Sequence, residues 1–105
     1  ERRLWHTNHP LFSEDYHPGE KEAIPKRIGG DSPQRLNLLQ SHLGVGEINT
    51  GEVKALLCTP PVCKPKSQED HYFTSGSLVM TLSSPPRLEI TAGPPSLSEY
   101  ATYTF

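Results

Sequence analysis

The residues with the clearest capacity for chemistry stand near the start of the chain, in Leu4-Trp5-His6-Thr7-Asn8-His9-Pro10. A polar Thr-Asn pair held between an apolar run and a proline has the form of a strand that delivers an amide side chain into a site. Residues 2–6 read as that strand, and Pro10, which has no N–H to donate, ends its ladder of hydrogen bonds. His6 and His9 form His-x-x-His, and His17, His71, Cys58 and Cys63 add further side chains of the kinds that bind zinc. Two observations argue against a metal centre. Residues three apart fall on opposite faces of a strand, and Cys-x4-Cys lacks the second paired half of a structural zinc site. No metal and no other cofactor is expected. Cys58 and Cys63 flank Thr-Pro-Pro-Val, a spacing that a local disulfide just tolerates, and are read as free thiols.

The elements that would position these side chains follow from periodicity and breakers. Residues 11–31 are rich in Pro, Gly and charge, including Glu20-Lys21-Glu22 and Pro25-Lys26-Arg27, and read as a long exposed loop of the kind that serves as a lid or binding loop. A helix starts at Ser32-Pro33-Gln34-Arg35, with Ser32 expected as its cap and Pro33 at the first helical position. Leu36, Leu39 and Leu43 recur at helical spacing, and Gly44 ends the helix. A shorter helix is expected from Glu52 to about Leu57, capped by Thr50 or Asn49, and Pro60-Pro61 terminates it. The last third reads as sheet, with strands over 72–82, 87–92 and 100–105 separated by Ser83-Ser84-Pro85-Pro86 and Gly93-Pro94-Pro95. Leu78, Met80 and Leu82 share one face of the first strand. Leu88, Ile90 and Ala92 share one face of the second, with Arg87, Glu89 and Thr91 opposite. These two strands are expected to pair as an antiparallel hairpin with one dry face, and the order of elements predicts an α+β fold.

Composition limits what such a chain can do alone. Hydrophobic residues make up 33% of the 105, and counting glycine in place of tyrosine brings this to about 37%, against roughly 45–50% in typical domains. Eleven prolines add to the shortage of core. Either much of the chain is loop, or its apolar faces are completed by other sequence. The sole methionine is Met80, so the expectation is a C-terminal piece of a larger protein, with residues 1–105 forming part of a single domain. A net charge of −2 and a pI near 6.2 give no electrostatic attraction to nucleic acid or to an anionic membrane, and neither is expected as a partner. No apolar run approaches the roughly 18–20 residues that span a bilayer.

Several stretches, in order, resemble a known family. His6-Thr7-Asn8-His9-Pro10 is similar to the Thr-Asn-(Asn/His)-Pro signature of the choloylglycine hydrolase and isopenicillin-N acyltransferase group of N-terminal-nucleophile hydrolases. Ser32-Pro33-Gln34-Arg35-Leu36 resembles the Ser-x-x-Arg-Phe/Leu helix start that follows it there. The tail looks like the acyltransferase branch: Val62-Cys63, then Phe73-Thr74-Ser75-Gly76-Ser77-Leu78-Val79-Met80, then Leu88-Glu89-Ile90-Thr91-Ala92-Gly93-Pro94-Pro95, then the segment from Tyr100 to the terminal Phe105. The short interval from Asn8 to Arg35 also favours that branch over the bile-salt one.

The resemblance implies a four-layer αββα sandwich, mostly antiparallel, and a Cys freed as an N-terminus by autocatalytic cleavage. That Cys would attack a linear amide or thioester carbonyl, with its own α-amino group as general base. Neither Cys58 nor Cys63 begins a chain, so the nucleophile is expected upstream of this sequence, in the remainder of the same polypeptide. Asn8 would orient the nucleophile and donate to the developing oxyanion, where a fixed neutral donor contributes about 2.7–4 kcal/mol. Arg35 would favour thiolate over thiol and hold a carboxylate or carbonyl oxygen. His6 and His9 would line the substrate site, which takes a small amide or acyl-thioester. The plainer alternatives are a turn for Asn8 before Pro10, and for Arg35 a solvated position in a first turn whose dipole disfavours a cation. Thr74, Ser75 and Ser77 read as small strand residues, and Cys63 as a buried small hydrophobe. Two readings compete with the hydrolase: an interaction module using the charged loop over 11–31, and a small metal domain using His6, His9, Cys58 and Cys63.

Overall fold

Two helices are followed by three strands within the described residues, 3–7, 19, 31–67 and 71–105, of the computed structural model. This is the α+β order expected, and the chain divides into two compact units, residues 1–46 and 47–105. Most of the loop expected over 11–31 lies outside the described residues.

In the first unit, helix α1 spans Ser32–Leu43. Ser32 is not its cap. The helix begins one residue earlier than expected, Asp31 is the N-cap without a side-chain cap bond, and the Ser32 side chain is fully buried in the first turn. Pro33 also lies in that turn, where a missing N–H is no loss. Leu36 is buried and Leu39 and Leu43 are half-buried, as their spacing predicts. Gly44 stops the helix with a right-handed φ of −75°, its N–H donating to Gln40 O at 3.0 Å. Glycine is required there by closeness, since a Cβ would run into Gln40 O.

Over its described part, residues 3–6, the strand expected over 2–6 does not form: residues 3–7 belong to no sheet. Arg3 is engaged instead with the end of α1, donating from its guanidinium to Leu43 O at 2.9 Å and to Gly46 O. The last carbonyls of a helix have no partner within it, and a cation suits the negative end of its dipole. The segment keeps an extended character, with residues 3, 5 and 7 half-buried and residues 4 and 6 exposed.

In the second unit, helix α2 spans Thr50–Leu57, and Asn49 provides its cap. Asn49 Oδ1 accepts from Glu52 N at 3.0 Å while Glu52 Oε2 accepts from Asn49 N at 2.8 Å, the reciprocal capping box. Strands β1 (Leu78–Thr81), β2 (Arg87–Ile90) and β3 (Ala101–Thr104) form one antiparallel sheet in the order β1-β2-β3. All three are shorter than expected. Ahead of β1, Thr74 bonds backward to Lys64 in both directions, its N–H to Lys64 O at 2.8 Å and its Oγ1 accepting from Lys64 N at 2.9 Å. At the end of β2, Ser77 N donates to the Thr91 hydroxyl at 2.8 Å rather than to a ladder carbonyl.

The register aligns Val79 with Glu89 and Thr102, and Met80 with Leu88 and Tyr103. Leu78, Met80, Leu88, Ile90, Ala101 and Tyr103 therefore share one face, as the alternation predicts. That face is not dry. Met80 is 59% exposed and Tyr103 54%, whereas Val79 and Glu89 on the other face are buried. The reason is the packing of α2 against β1 and the reach of its Lys54 to Glu89, which cover the mixed face and leave the apolar one bare.

Candidate functional site

Of the four side chains singled out by the sequence, Arg35 and His6 lie within the described residues and Asn8 and His9 outside them. Arg35 is the fourth residue of α1, half-buried, with Nε 3.7 Å from Asp31 Oδ1. The aspartate one turn back supplies negative charge at the helix start, so the cation that the dipole disfavours there has a local counterion. His6 is exposed, on the extended segment whose Trp5 and Thr7 are half-buried.

A polar network that the sequence does not announce lies on the covered face of the sheet. Glu89 is 6% exposed; Lys54 of α2 donates to its Oε1, and Arg87 Nε stands 3.5 Å from its Oε2. Oε2 is buried and accepts no hydrogen bond. The hydrogen bond from Lys54 is the main reason the Glu89 carboxyl is held below the usual carboxylate range, with the Lys54 and Arg87 charges adding to it and burial opposing. A carboxylate kept ionised in this way is a poor general acid at neutral pH; its work is to bind α2 to the sheet. Lys54 Nζ also lies 4.7 Å from the centroid of the Tyr100 ring, and the Tyr100 hydroxyl is 2.9 Å from Ser77 Oγ. Thr91 extends the network, donating from Oγ1 to Gly93 O at 2.7 Å. Side chains 35 positions apart in sequence meet here, and no local motif encodes such a meeting.

Beside this network, Ser75, Gly76, Ser77, Leu78, Ile90 and Thr91 line an open recess of about 310 Å³. Gly76 is fixed by close approach, because a Cβ on it would stand 2.9 Å from Thr91 O. Both cysteines are free thiols. Cys63 is 1% exposed, with Sγ 3.3 Å from Ser96 Oγ, and so behaves as the small buried hydrophobe expected. A thiol closed off to this degree has no approach for a substrate.

Among the described residues, no three His, Cys, Asp or Glu side chains are grouped so as to hold a metal ion, and no helix is long and apolar enough to cross a membrane. No protein-family model matches the chain, and neither the curated proteins nor the solved structures contain a significant match to it.

Proposed function

We propose that the chain is part of an N-terminal-nucleophile hydrolase or acyltransferase that cleaves linear amide or thioester bonds, with its Cys nucleophile in sequence outside these 105 residues. What supports this reading is the order of the motifs, Thr7-Asn8-His9-Pro10, then Ser32-Pro33-Gln34-Arg35-Leu36, then Leu88 to Pro95, which resemble successive stretches of one family. The layering is consistent with it. A helix on one face of an antiparallel sheet and a bare aliphatic and aromatic face on the other are what one half of an αββα sandwich would present to a second sheet.

In the proposed reaction the α-amine of the nucleophile takes the thiol proton, and the thiolate forms a bond to the carbonyl carbon. The carbonyl oxygen gains the negative charge, which Asn8 stabilises. The intermediate collapses to an acyl-thioester as the leaving amine or thiol departs with the proton. Water then releases the acid, or an acceptor amine takes the acyl group. Arg35 favours the thiolate, and His6 and His9 line the substrate site. No cofactor enters.

The test extends the open reading frame upstream and expresses the longer polypeptide. Cleavage before an internal Cys should be found by mass spectrometry, together with amidase or thioesterase turnover, and Asn8→Ala should lower kcat by about 10²–10³. The 105 residues alone should show no turnover. A frame without such a Cys, or Asn8-dependent turnover by the 105 residues alone, overturns the reading.

One observation favours a second reading, an interaction module without catalysis: the bare face of the sheet exposes Leu78, Met80, Ile90 and Tyr103 together, as a surface that binds partners would. That reading expects residues 1–105 to melt cooperatively as a monomer by themselves.

A further inference from the structure

We draw no further inference here: the strongest candidate, the bare apolar face of the three-stranded sheet around Met80, Ile90 and Tyr103, belongs to the reading already proposed, and nothing in the structure shows what else would cover it.

Discussion

Glu89 joins the helix to the sheet through charge, and the sign of its pH dependence follows from that. Its folded carboxyl titrates below the unfolded one, chiefly because Lys54 donates to it. As pH falls, the unfolded chain takes up this proton first, so the contribution to stability is complete above the ordinary carboxylate range and is lost as pH drops through the lower folded value. Glu89→Gln should therefore flatten the acid limb of the stability profile, read as urea midpoints between neutral pH and pH 3. At neutral pH it should lower the midpoint, since Lys54 would lose its anion. A variant with the wild-type acid limb would show that the pair does not couple to folding. Arg35 calls for the opposite experiment. Its contact with Asp31 at 3.7 Å is a partly exposed pair of the kind worth at most about 1 kcal/mol, so loss of that pair in Arg35→Gln should lower the stability of the proposed longer polypeptide by no more than that, read as its melting temperature. A fall in kcat out of proportion to so small a loss of stability is the outcome that the proposed place of Arg35 beside the nucleophile predicts. Unchanged kinetics would return Arg35 to the surface of its helix.

Helix α2 is where local sequence and local structure agree most closely, and its cap gives a measurable quantity. Asn49→Ala removes the acceptor for Glu52 N and should cost about 0.5–2 kcal/mol, whereas Asn49→Gly should cost only a few tenths, a contrast that chemical denaturation resolves. Leu56, 5% exposed on the same helix, should cost about 2–5 kcal/mol when replaced by Ala. Both helices are legible because their signals are local: Pro33, the Leu36, Leu39 and Leu43 spacing, and Asn49 three residues before Glu52. The antiparallel pairing of β1 with β2 is legible for the same reason, since alternating strands lie on either side of Ser83-Ser84-Pro85-Pro86. What could not be read depends on distant partners. Whether residues 2–6 make a strand turns on a competing offer to Arg3 from carbonyls about 40 positions away. Which face of the sheet is covered turns on where α2 comes to rest, and alternation alone says only that the faces differ. The site is less legible than the fold. A buried carboxylate between a lysine and an arginine looks, in sequence, like any strand charge.

At the scale of the whole molecule the question is what the bare face is for, and one substitution separates the answers. Met80 sits on that face in the edge strand β1, opposite Leu88 and in line with Tyr103, and is 59% exposed. In residues 1–105 alone, Met80→Lys places a charge in water. Its effect on stability should stay within about 0.5 kcal/mol, while solubility rises and binding of an apolar dye falls. In the longer polypeptide of the proposed hydrolase a second sheet would cover this position about 10 Å away, and the same lysine would be a buried charge without a partner. There it should cost several kcal/mol, read as a fall in melting temperature and in the yield of the self-cleaved form. Equal and small effects in both contexts would mean that the face stays open in the larger protein, against the four-layer sandwich and in favour of a surface that binds partners. A large effect in the long form alone would make the low apolar content of this chain intelligible: a sheet that shares its core with sequence elsewhere needs to supply only half of it.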